Sequence, residues 1–162
     1  MEKELTKEQV LDALELHNFR DLTPEKMVEF LHKAKDMSKE EWKDAISKVP
    51  NFTRLMEGTL DLLKSIGEKT FAGNEDSMKR FYEHCVLVQQ ALTEGLKTAT
   101  DMNEKMMIID KMMEVANMLK EKDTENKFYN GFLLSCGFVC VGMIGFALYK
   151  TGLLGMIVDE ID

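Results

Sequence analysis

Two prolines, three cysteines and no run of basic residues in a chain of 162 residues close off several readings at once. Proline and glycine are too sparse for a long disordered linker, and no low-complexity tract occurs. Cys85 stands alone, and Cys136 and Cys140 fall inside an apolar stretch, so neither a disulfide framework nor a zinc pattern follows. The formal charge is −8, of which −6 falls on residues 1–127. Neutralising phosphates requires clustered Lys and Arg, so no nucleic-acid partner is expected.

Catalytic signatures are missing too. There is no phosphate-cradling glycine-rich loop, no His-Glu-x-x-His, no nucleophile elbow and no Cys-x-x-Cys. His17, His32 and His84 are isolated in sequence, and Cys85 next to His84 points a different way on a helix. Acidic groups such as Glu40, Glu41 and Asp44 read as solvated helix faces, without the spacing of a calcium loop. The expectation is a protein that is not an enzyme and holds no metal or other cofactor. The start, Met1-Glu2-Lys3-Glu4-Leu5, has neither the basic-then-apolar pattern of a secretory signal nor the Arg-rich pattern of a transit peptide. The polar part is therefore expected in the cytosol.

What the chain does contain is helix grammar. Leu5-Thr6-Lys7-Glu8, Leu22-Thr23-Pro24-Glu25 and Met37-Ser38-Lys39-Glu40 each supply a hydroxyl for a helix N-cap. In each, the apolar residue before the cap is spaced to pack on the one at the fourth helical position: Leu5 on Val10, Leu22 on Met27, Met37 on Trp42. Gln9 and Glu41 complete capping boxes, and Pro24 suits the first helical position. Residues 1–50 thus predict three short amphipathic helices, which are marginal alone and must pack on something.

Residues 51–127 predict three longer helices. One starts at Pro50 and carries Phe52, Leu55, Met56, Leu60, Leu63 and Ile66; it stops at Phe71-Ala72-Gly73-Asn74. The next starts between Asn74 and Ser77 with Met78, Phe81, Tyr82, Cys85, Val88 and Leu92 on one face, weakened near its end by Gly95. The last, capped by Thr100 or Asp101, has one apolar row in Met102, Met106, Ile109 and Met113 and another in Ile108, Met112, Val115 and Leu119. So wide a face suits a buried or paired helix. The row from Met102 to Met113 is the expected helix-partner face, since methionine lines adaptable grooves; copper(I) binding by its thioethers is the weaker reading.

From Phe128 to Tyr149 no residue carries a charge, although charged residues make up 31% of the chain. Tyr129 and Tyr149 are twenty residues apart, and at about 1.5 Å per residue that approaches the roughly 30 Å of bilayer hydrocarbon. Tyr129 and Tyr149, with Lys127 and Lys150 outside them, fit interface anchors. The reading is an all-α protein: a cytosolic bundle of about six helices, a single transmembrane helix at 128–149 and a short apolar-acidic tail at 150–162. No glycine or proline interrupts Lys120 to Lys127, so one continuous helix is expected to join bundle and span. Lysines concentrate before the span, which places the N-terminal side in the cytoplasm. Within the span, Gly131, Ser135, Gly137, Gly142 and Gly145 form a small-residue surface for self-association.

The function expected is a membrane-tethered helical interaction module that binds a protein partner or itself at the bilayer surface. The alternative is a membrane-active effector, holin-like or growth-arresting, that oligomerises through its glycine-rich span.

Overall fold

A computed structural model describes residues 4–70, 73–123 and 128–132. Among these residues the protein is all-helical: α1 (Lys7–Ala13), α2 (Pro24–Lys33), α3 (Lys39–Ser47), α4 (Phe52–Glu68), α5 (Glu75–Thr98) and α6 (Met102–Lys122), with single 3-10 turns at Phe19–Asp21 and Ala34–Asp36.

The helix starts follow local chemistry. Thr6 accepts from the Gln9 amide while the Gln9 side chain accepts from the Thr6 amide, a complete capping box. Thr23, Ser38, Asn74 and Asp101 cap α2, α3, α5 and α6 by accepting from the amide three residues on, each satisfying a donor the helix itself cannot. Glu41 departs from expectation. Its carboxylate does not return to the Ser38 amide; it accepts from the Lys7 amide at 3.0 Å. The reason is tertiary: the Leu5 amide donates to the Asp36 carbonyl at 2.8 Å and Leu5 and Met37 form a parallel bridge, so the first and third helix-start segments lie side by side. Pro50 likewise stays outside α4, whose cap Asn51 is left-handed at φ 49°, a conformation asparagine tolerates better than most residues.

α4, α5 and α6 make the longer layer. α5 and α6 form an antiparallel hairpin with the most extensive contact among the described helices. Thr53 meets Glu104, and Lys64 pairs with Glu114, so α4 runs parallel to α6. α4 and α5 are antiparallel and interlock reciprocally: Phe52 of α4 sits over Gly95 of α5, and Phe81 of α5 sits over Gly67 of α4. α2 packs on α4 and α5, with the Pro24 ring against Gly58, and α3 packs on α5. One hydrophobic cluster runs from Val10 to Phe132 through both layers. α5 is its central helix, which is why Leu87, Gln89, Glu94 and Leu96 are buried along with the expected stripe; a helix surrounded on most sides loses its polar face.

Among the described residues no helix is long and apolar enough to cross a membrane. Most of the expected span, residues 133–149, lies outside them. Its first turn lies within, and it is packed on protein: Phe132 is buried in the core and Phe128 tilts against Tyr82 with ring centroids 5.4 Å apart. The expected unbroken helix from bundle to span is not found. α6 stops at Lys122, and buried Asp123 (φ −87°, ψ 80°) accepts from the Tyr129 amide at 2.7 Å. A charged acceptor so placed holds a new helical segment against the bundle at the cost of the old one's continuity.

Candidate docking groove

α2 and α5 are held side by side by two histidines 52 residues apart in sequence. His32 Nε2 lies 2.8 Å from His84 Nδ1, with the rings edge to face at 4.7 Å. One nitrogen must donate and the other accept, so the contact needs at least one neutral ring. Burial is the main cause that holds both below the ordinary histidine value; Lys35 adds to it at His32, and His32 and Lys35 add to it at His84, while Glu83 opposes. Cys85, next in sequence, points into the core, and burial pushes its thiol up to about 12. That thiol is no nucleophile near neutral pH.

Next to the histidine pair lies a half-open groove of about 370 Å³. One wall is the end of α2, the following 3-10 turn and the start of α3: Leu31, Lys35, Met37, Ser38, Lys39 and Trp42. The other is a single stripe of α5, Leu87, Gln90, Glu94 and Lys97, with Thr93 beside it. Trp42 is fixed from beneath, stacked on Phe30 at 6.3 Å and 16°, and Phe30 meets Phe19 edge to face at 5.9 Å. This aromatic series ties the first 3-10 turn, α2 and α3 together and leaves Trp42 half-buried in the groove.

Three exposed lysines, Lys35, Lys39 and Lys97, share the groove with the apolar Leu31, Met37, Trp42 and Leu87 and the polar Ser38, Gln90, Thr93 and Glu94. The one carboxylate in the lining, almost fully buried Glu94, is 3.4 Å from Lys97. Among the described residues Lys35 and Lys39 enter no ion pair. Two of the three acids that α3 carries, Glu41 and Asp44, turn to Lys7, with Asp44 at 2.7 Å, and the third, exposed Glu40, does not line the groove. These two carboxylates keep the Lys7 ammonium well above its ordinary value, the Asp44 hydrogen bond foremost. The amino end of α3, capped by Ser38, adds its partial positive charge to the same wall.

The expected helix-partner row on α6 is divided by the fold. Ile109 is buried at 6% exposure and Met106 packs against the core, while Met102 and Met113 are exposed at 37% and 48%. The neighbouring row, Ile108, Met112, Val115 and Leu119, is the one at the centre of the helix contact. Met107, 49% exposed, joins neither row. Of the expected span residues, Tyr129 lies under the Lys120 ammonium, 6.0 Å from ring centre to nitrogen, and Gly131 faces the Tyr82 hydroxyl of α5. Lys127, Ser135, Gly137, Gly142, Gly145, Tyr149 and Lys150 lie outside the described residues.

Sequence reasoning missed the groove. Trp42 is recognisable only as a staple residue, and the lysines resemble any solvated helix face. Among the described residues no three His, Cys, Asp or Glu side chains are placed to hold a metal. No protein-family model matches the chain, and neither a curated protein nor a solved structure does.

Proposed function

We propose that this protein is a membrane-tethered helical interaction module: a cytoplasmic bundle that presents the α2–α3/α5 groove to a protein partner and is anchored by the apolar segment ending at Tyr149. The observation that carries this reading is the polarity of the bundle. The described start of the uncharged segment, residues 128–132, docks on the first half of α5, where Phe128 meets Tyr82, and Phe132 enters the core. The groove lies farther along the same helix, from Leu87, a rise of about 7.5 Å beyond Tyr82, to Lys97, about 22 Å beyond it. A module anchored at the Tyr82 end therefore holds its groove away from the bilayer, open to the cytoplasm.

Nothing in the groove asks for catalysis. Its polar groups are lysines, amides and hydroxyls, with Glu94 tied to Lys97, and the nearby histidines are bonded to each other. Binding is what such a surface supports: apolar side chains interleaved with polar groups that can orient a ligand.

Alkaline extraction of membranes, combined with protease protection of a C-terminal tag, tests the tether. The chain should stay with the membrane pellet and the tag should be protected; release into the soluble fraction refutes it. Depolarisation of expressing cells, abolished by Gly137→Leu and Gly142→Leu, would instead assign the activity to the span itself.

A further inference from the structure

We propose that the groove's ligand is an acidic, amphipathic segment of the partner protein, seating an apolar side chain between Trp42 and Leu87 and laying carboxylates on Lys35 and Lys39. This deepens the interaction-module reading and rests on it.

Charge is the first argument. A chain of net charge −8 repels acidic partners over most of its surface, yet at this groove the sign reverses. The lining holds three lysines and one glutamate, and that glutamate is already matched to Lys97. The fold contributes to this: of the acids of α3, Glu41 and Asp44 are turned to Lys7, while exposed Glu40, like exposed Asp36 before it, does not line the groove. A local cationic site on an acidic body orients an approaching acidic segment as well as attracting it.

Dimensions give the second. The α5 stripe from Leu87 to Lys97 rises about 15 Å, the length of nearly three turns of a second helix. A volume of about 370 Å³ admits one or two large apolar side chains, in the manner of a helix laying its apolar face into a groove. Gln90, Thr93 and Ser38 supply hydrogen-bonding groups at the border. An anionic bilayer would meet the same lysines, but the groove lies toward the end of α5 opposite the junction with the apolar segment, so a partner in the cytoplasm is the better fit. Three lysines are too few for a nucleic acid against this net charge.

Trp42 is the only tryptophan in the chain, so its fluorescence reports on the groove directly. The full chain, reconstituted in neutral phosphatidylcholine vesicles, is titrated with two synthetic helical peptides of about 16 residues, long enough to cover the groove. Both lack tryptophan and share the same leucine positions; one carries glutamate at its polar positions and the other lysine. The glutamate peptide should change Trp42 emission saturably, weaken with added salt, and bind about ten-fold more tightly than the lysine peptide, as expected of two rim ion pairs. Lys35→Glu with Lys39→Glu should reverse the preference, and the milder Lys35→Gln with Lys39→Gln should abolish it. Unchanged helical circular dichroism checks that both variants fold.

Equal binding of the two peptides, or tighter binding of the lysine peptide, overturns the acidic partner while leaving the groove a docking site. Silence of Trp42 toward both overturns the groove itself. Phosphatidylserine vesicles that reproduce the Trp42 response, with loss in the Lys35→Gln and Lys39→Gln variant, transfer the site to the membrane surface and overturn the proposal. Failure of the tether would show separately, as release on alkaline extraction with peptide binding intact.

Discussion

Alanine at position 95 would place its methyl carbon 2.1 Å from Cε1 of Phe52 and 2.7 Å from Cδ1 and Cζ. Carbon atoms in contact prefer about 3.5–4.0 Å, so the ring must retreat by well over an ångström. Two effects oppose each other. Alanine in a helix interior is favoured over glycine by roughly 0.8–1.0 kcal/mol, and Gly95 lies within α5. Overpacking a close contact costs typically about 1–3 kcal/mol, and here the ring belongs to the first residue of α4, so either α4's start shifts or Phe52 swings out and gives up its contact with the core. The steric term wins, and Gly95→Ala should destabilise by about 1 kcal/mol, reaching about 2 if α4 cannot adjust. Urea unfolding of the full chain in neutral lipid, followed by Trp42 fluorescence, measures it. The decisive experiment is the cycle with Phe52→Leu. In that background the obstruction is smaller, so Gly95→Ala should be neutral or stabilising, giving a coupling of 1 kcal/mol or more, in the range found for residues in contact. Equal or higher stability of the single variant, or strict additivity with Phe52→Leu, would refute the claim that Gly95 is there to admit the ring.

Acidification should loosen the α2–α5 contact. Both histidines are held below 6.5 when folded, so the unfolded chain binds more protons; stability is unaffected above pH 6.5, falls as pH drops below it, and levels off below the folded values. His84→Gln should flatten that slope between about pH 6.5 and pH 5, before carboxylates begin to titrate, and an unchanged slope counts against the histidine pair as its source. With Cys136 and Cys140 replaced by alanine, Cys85 in the folded chain should resist iodoacetamide at pH 8 and react once urea is added; prompt labelling of native protein contradicts its burial and raised thiol value. Asp123→Ala removes the acceptor of the Tyr129 amide and should cost about 1.5–3 kcal/mol locally, read as faster hydrogen exchange at Tyr129, whereas Asp123→Asn should retain part of the protection. Unaltered exchange in Asp123→Ala would mean that Phe128 and Phe132 alone hold the junction.

How far each feature was legible depended on the range of the interaction behind it. Caps at Thr6, Thr23, Ser38 and Asp101 were readable because donor and acceptor lie three residues apart, within the reach of a single helical turn. Helical periodicity likewise marked the elements and their buried stripes, since a helix repeats its faces whatever it packs against. Where two readings shared the same local pattern, sequence had no means to choose. Both apolar rows of α6 satisfy helical spacing, and only the position of α4 and α5 selects Ile108, Met112, Val115 and Leu119 as core. Gly95 read as a weakness in α5 because the ring that requires it comes from residue 52.

By itself, then, the sequence determined the all-helical class, the places where most of the helices begin, and the concentration of uncharged residues after Lys127, all consequences of near-neighbour chemistry and composition. Tertiary structure alone decided that Glu41 leaves its capping box for Lys7, that His32 meets His84, that α6 breaks at Asp123, and that three lysines gather around Trp42 on an acidic protein. Each of these joins groups far apart in the chain or depends on a neighbouring helix, and their proximity follows from how the helices share one core rather than from any local preference.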